Sequence, residues 1–128
     1  MAGDAWTAEL FRDRRGRYPV VDFLMRQSTP AQKAMVNSIR IVLELAEHQP
    51  AHTIGRPQVE TLEAPIKELR ATKQIRILFA WQEGSRTMLL LEADAKKNGR
   101  VDARVIRRAQ ANLAEWRITR SSDPIELL

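Results

Sequence analysis

At 128 residues and 44% hydrophobic content, the chain holds enough apolar material for one core and little room for a second, so a single domain over residues 1–120 with a loose tail over 121–128 is expected. The absence of cysteine excludes disulfides, thiolate catalysis and cysteine-based metal sites and fits a cytoplasmic protein; no run approaches the ~18 apolar residues that span a bilayer, and the N-terminus lacks the apolar stretch of a signal peptide. The net charge of +5 is uneven: from Lys96 to Arg120 eight basic residues stand against two acidic ones, so that segment carries +6 and the rest −1, the distribution of a polyanion-binding face.

Residues 5–11 alternate Trp6, Ala8 and Leu10 with Thr7 and Glu9, which predicts a first strand. A basic loop, Arg12-Asp13-Arg14-Arg15-Gly16-Arg17, follows. Pro19 then stands at a first helical position, and Val20, Phe23 and Leu24 recur at helical spacing, giving a short helix to about Gln27. Thr29-Pro30-Ala31-Gln32 reads as the start of a second helix, with Thr29 as N-cap, and Met35, Val36, Ile39, Val42, Leu43 and Ala46 form its buried stripe up to about Glu47. The two helices would make a hairpin. Gln49 to Pro65 holds three prolines and Gly55 without periodicity and reads as a loop, with His48 and His52 as two surface histidines rather than metal ligands.

The chain is organised around Ile66 to Arg100. Ile66–Ala71 reads as a strand with Leu69 inward. In residues 74–82 Ile75, Ile77, Phe79 and Trp81 alternate with Arg76, Leu78 and Ala80, again a strand. Residues 86–93 make a third, and the unbroken run Met88 to Leu91 requires cover on both faces. Gly84 is the glycine for the hairpin turn. For the Ile75/Ile77/Phe79 and Leu89/Leu91 rows to share a face, the loop should hold about three residues, which sets Arg76 opposite Glu92. The same parity pairs Leu69 with Ile77 and Arg70 with Arg76. Opposed like charges destabilise a sheet by up to about 1 kcal/mol, so either an anion binds there or Glu68 and Glu92 neutralise the arginines. Asp102 is placed to cap a last helix with Val105, Ile106, Ala109, Leu113 and Trp116 inward and Arg104, Arg107 and Arg108 mostly outward.

Four motifs in this order carry a resemblance: Arg14-Arg15-Gly16-Arg17-Tyr18-Pro19-Val20 before the short helix, Glu68-Leu69-Arg70, Arg76-Ile77-Leu78-Phe79, and Lys96-Lys97 directly after the last strand. Over about residues 6–116 the chain resembles the RelE/ParE superfamily of toxins from toxin–antitoxin pairs, most of all the HigB branch and its phage-derived relatives. The resemblance implies a RelE-like α+β fold with an N-terminal strand, a helical hairpin, a three-stranded antiparallel meander and a C-terminal helix. It further implies a cytoplasmic, ribosome-dependent endoribonuclease that cuts messenger RNA in the ribosomal A site. Its partners would be the ribosome, messenger RNA and a cognate antitoxin, a small helix-turn-helix protein through which alone it meets operator DNA; no membrane, metal or cofactor is implied. Where much of the HigB branch carries an aromatic residue with a histidine shortly before it, this sequence has Asp94 and Glu92.

RNA supplies its own nucleophile, because the 2′-hydroxyl attacks the adjacent phosphate once the two are held in line and the pentavalent charge is stabilised. Arg70 and Arg76 would offer planar donor forks to the phosphate, Lys96 and Lys97 mobile cations, and Glu92 or Glu68 the base. Lys73, Arg100, Arg104, Arg107 and Arg108 would hold the RNA backbone. A ParE-like inhibitor of DNA gyrase and a non-catalytic nucleic-acid-binding module are the alternatives.

Overall fold

The computed structural model describes residues 5–96 and 99–125. Its elements are strand β1 (Thr7–Phe11), helices α1 (Pro19–Met25) and α2 (Thr29–His48), strands β2 (Val59–Thr61), β3 (Lys67–Arg70), β4 (Ile75–Gln82) and β5 (Thr87–Ala95), helix α3 (Ala103–Thr119) and strand β6 (Ser122–Pro124). The architecture is α+β. Six strands form one sheet in the order β2-β3-β4-β5-β1-β6, all neighbours antiparallel except β1 and β5, which run parallel.

Helices cover both faces, as the apolar run of β5 requires. On one side Val20 and Phe23 of α1 and Met35, Ile39, Val42 and Ala46 of α2 pack with Leu69, Ile75, Ile77, Phe79, Met88 and Leu90. On the other Val105, Ala109, Leu113 and Trp116 of α3 pack with Phe11, Ile66, Leu78, Ala80, Leu89 and Leu91. Three helical stripes and one alternating sheet thus build two cores back to back.

Several sequence expectations need correcting. The α2 cap is Ser28, whose Oγ accepts from the Ala31 N–H at 3.3 Å, so Thr29 is already helical. The stretch read as a loop over 49–65 contains a turn of 3-10 helix at Ala51–Thr53 and the edge strand β2, in which Val59 is buried beside Leu69 and Glu60 faces Glu68. Residues 122–124, read as part of a loose tail, pair with β1, and Tyr18 Oη donates to Asp123 Oδ2 at 2.5 Å, a bond that raises the phenol pKa. The β3–β4 register is the expected one, Leu69 against Ile77 and Arg70 against Arg76.

The β4–β5 register is not. Gln82 pairs with Thr87, so four residues turn the chain instead of three, and the left-handed position is Arg86 (φ 50), not Gly84. The extra residue reverses parity: Phe79 lies against Leu90 and Trp81 against Met88, while Leu89 and Leu91 face α3. A bulge between Leu78 and Phe79 then shifts the register once more. Beyond it Leu78 opposes Glu92 and Arg76 opposes Asp94, so the expected Arg76–Glu92 pair does not form.

Candidate nucleic-acid interface

Alternation along β3 and β4 puts Glu68, Arg70 and Arg76 on the α3 side of the sheet, since Leu69, Ile75 and Ile77 take the other. β2 adds Glu60 and β5 adds Glu92 and Asp94 to the same side. Between the adjacent arginines sits Glu68, with Oε1 2.7 Å from Arg76 Nε and 3.9 Å from Arg70 Nε. Arg76 also donates from Nη1 to the carbonyls of Thr72 (2.5 Å) and Ile75 (3.1 Å). Glu68 and Arg76 are both buried, at 4% exposure each.

Nε and Nη1 of Arg76 are thus taken up by Glu68 and two backbone carbonyls. Burial admits the charge because Glu68 compensates it, and the same pairing removes the repulsion expected between Arg70 and Arg76. Arg70 is more open, with 33% of its side chain exposed; Nη2 donates to Glu60 Oε2 at 2.7 Å, while Nε is buried without a hydrogen-bond partner. Glu60 binds Arg56 as well, and these two bonds, Arg56 first, hold its carboxyl below the usual range. Sequence reasoning missed Glu60 because it lay in the presumed loop, although the β-branched Val59 and Thr61 around it carry the strand signal.

The remaining candidates gather where β5 runs toward α3. Lys96 continues the ladder by donating from its N–H to Gln74 O at 2.8 Å, and its Nζ donates to Gly99 O at 2.8 Å. Lys97 lies outside the described residues. Glu92 does not meet Arg76. Its Oε2 accepts from Arg108 Nε at 3.3 Å and its Oε1 from the Ala93 N–H at 3.2 Å. Asp102 caps α3 as expected, accepting from the Arg104 N–H at 2.8 Å and pairing with the Arg104 guanidinium at 3.0 Å. Those contacts, the side-chain bond foremost, depress the Asp102 pKa from 3.8 to about 2. Arg100 and Arg107 are exposed, as is Lys73 in the β3–β4 turn, next to the Thr72 carbonyl that binds Arg76.

Residues 22–114, which run from α1 nearly to the end of α3, match the model of the family described as Phage derived protein Gp49-like (DUF891). The chain belongs to this Gp49-like family. No curated protein matches it. The matched span of the Gp49-like chain takes in every arginine, lysine and glutamate of the cluster above. The basic loop at 12–17 and strand β6 fall outside it. Among the described residues no group of His, Cys, Asp and Glu is placed to hold a metal, and His48 and His52 are both exposed. No described helix is long and apolar enough to cross a membrane.

Proposed function

We propose that this Gp49-like protein is the toxin of a type II toxin–antitoxin pair and acts as a ribosome-dependent endoribonuclease on messenger RNA, held in check by a small helix-turn-helix antitoxin. The observation that carries the reading is the Arg108–Glu92 pair, with Lys96 just past the end of the strand that bears Glu92 and with Arg100, Arg104 and Arg107 exposed on the approach to α3 and along it. A scissile phosphate entering there draws Arg108 away from Glu92. The freed carboxylate accepts the 2′-hydroxyl proton as O2′ bonds to phosphorus, Arg108 stabilises the pentavalent phosphorane, and Lys96 with Lys97 protonates the departing 5′-oxygen as the P–O5′ bond breaks, leaving a 2′,3′-cyclic phosphate. Arg70 is the sheet arginine open enough to reach the phosphate. Arg76 acts through Glu68 as a positioning residue.

The neutralisation of Arg76 by Glu68 favours a second reading, a nucleic-acid-binding module without catalysis. Induced expression in a bacterium separates the two. Growth arrest with cleavage of translated messages is expected, relieved by Lys96→Ala with Lys97→Ala and by Arg108→Ala, since one lost contact to a developing phosphorane charge costs ~10²–10³ in rate. Arrest with intact messages and altered supercoiling would overturn the nuclease reading in favour of gyrase inhibition. No arrest from a folded protein would favour the binding module.

A further inference from the structure

Away from the Arg108–Glu92 pair, a second basic feature is built from the loop at 12–17 and the C-terminal end of α3. The loop is rigid by construction: Asp13 Oδ1 accepts from the Arg15 and Arg17 N–H groups at 2.9 Å each, and the Asp13 N–H donates to Arg17 O at 2.8 Å. Gly16 turns it in the left-handed region (φ +79), where a Cβ would meet the Arg12 guanidinium at 3.2 Å. A donor from the Arg12 backbone to Ser121 O (3.0 Å) ties the loop to the segment following α3. Between loop and helix lies a pocket of about 320 Å³, with Arg12 and Arg14 on one wall and Glu115, Thr119 and Ser121 on the other.

Glu115, whose side chain is 26% exposed, is only loosely partnered. Its Oε1 is 3.9 Å from Arg14 Nε, beyond hydrogen-bonding distance, and its Oε2 is buried with no hydrogen-bond partner. Arg14 is 70% exposed and weakly held. The helix wall is also near the C-terminus of α3, whose last carbonyls add acceptor character. Six arginines in the loop and the end of α3 (Arg12, Arg14, Arg15, Arg17, Arg117, Arg120) outnumber the local carboxylates Asp13, Glu115 and Asp123. A cationic ligand is disfavoured by that rim. The combination fits a group that presents N–H donors to a carboxylate while carrying negative charge elsewhere.

We propose that this pocket is a nucleotide subsite that takes a guanine base, with Glu115 accepting from its N1–H and exocyclic amine, Arg12 or Arg14 donating to O6 and N7, and the outer arginines holding the phosphates. Guanine is the base with two adjacent donors on its Watson–Crick edge and two acceptors on its Hoogsteen edge, and paired carboxylate and arginine recognition matches both. The subsite rests on the RNA reading above and extends it. Glu115 follows Arg108 by seven residues on the same helix, about 10 Å along its axis, so one strand of RNA would engage both places a few nucleotides apart.

Titration calorimetry of the whole chain with guanosine and adenosine monophosphates tests this without ribosome or message. Guanosine monophosphate should bind at least about tenfold more tightly, Glu115→Gln should bring it to the adenosine level, and Arg14→Ala should weaken both nucleotides. If Glu115→Gln does not fold, Glu115→Asp, which keeps the charge but draws it back by one methylene, should show the same loss of preference. Equal binding of the two nucleotides, no binding of either, or a preference that survives both Glu115 changes overturns the subsite. Message cleavage alongside any of those results would leave the nuclease reading standing, whereas a Glu115-dependent preference in a protein that cuts no message would overturn the nuclease reading alone.

Discussion

Arg76 and Glu68 belong to the fold before they belong to any site. Removing the guanidinium leaves Glu68 buried with Arg70 at 3.9 Å as its nearest cation and strips the Thr72 and Ile75 carbonyls of a donor. Arg76→Ala should therefore destabilise by ~3–5 kcal/mol in urea unfolding, while Arg76→Leu combined with Glu68→Leu should recover most of the loss. A cost below about 1 kcal/mol for the single change would mean that water reaches Glu68. Relief of toxicity by Arg76→Ala alone would consequently report unfolding as readily as chemistry, and Lys96 and Arg108 are the better probes. Asp102 offers a pH test. Its folded pKa of about 2 lies below the 3.8 of the free carboxyl, so its contribution to stability is full above pH 3.8 and is lost as pH falls through 2. Carboxyl-carbon NMR should find that low midpoint in the wild type and a return toward 3.8 when Arg104 is replaced by alanine.

At the scale of elements, the apolar stripes of α1 and α2 and the inward rows of β3, β4 and β5 together make the first core. Ile77 is fully buried among Met35, Ile39 and Val42. Ile77→Ala should cost roughly 2–5 kcal/mol by chemical denaturation, and a loss under about 1 kcal/mol would contradict that packing. Ser28→Ala, by removal of the α2 cap, should cost ~0.5–2 kcal/mol, whereas Thr29→Ala should be near neutral because its backbone is already inside the helix. The bulge on β5 is the element-scale device that matters for chemistry. Without it Glu92 would not reach the α3 face beside Leu91, where Arg108 meets it.

For the molecule as a whole, the two ends of the chain close on each other. β6 covers the outer edge of β1, Ser122 Oγ accepts from Trp116 Nε1 at 3.0 Å and donates to Glu9, and Asp123 holds Tyr18. Ending the chain at Ser121 should lower the melting temperature by about 2–8 °C, the effect of ~1 kcal/mol of lost hydrogen bonding, and expose a pairing edge that promotes association on gel filtration. Charge acts at this scale too. RNA affinity should fall steeply with salt, and replacing Arg104 and Arg107 with alanine should reduce the log–log slope by roughly 1 to 2 without changing base preference.

Local pattern carried much of this architecture. Period-3.6 stripes marked α1, α2 and α3, alternation marked β1 and β4, a continuous apolar run announced helices on both faces of β5, and parity alone paired Arg70 with Arg76. These features depend on neighbours within a few residues, which a sequence displays directly. The edge strands β2 and β6 were missed because three residues of backbone pairing have no period, the β-branched Val59 and Thr61 being the one local trace of β2, and they exist only where an open sheet edge waits for them. The register of β5 escaped for a related reason: one residue in a turn and one in a bulge each reverse parity, and neither leaves a compositional trace. The site divided along the same line. Residue type and order pointed to a basic face with Glu92, Lys96 and the α3 arginines near it. Which arginine is open and which is locked against Glu68, and which carboxylate meets Arg108, was settled by burial and by side chains arriving from β2 and α3, distances that exist only once the sheet has closed.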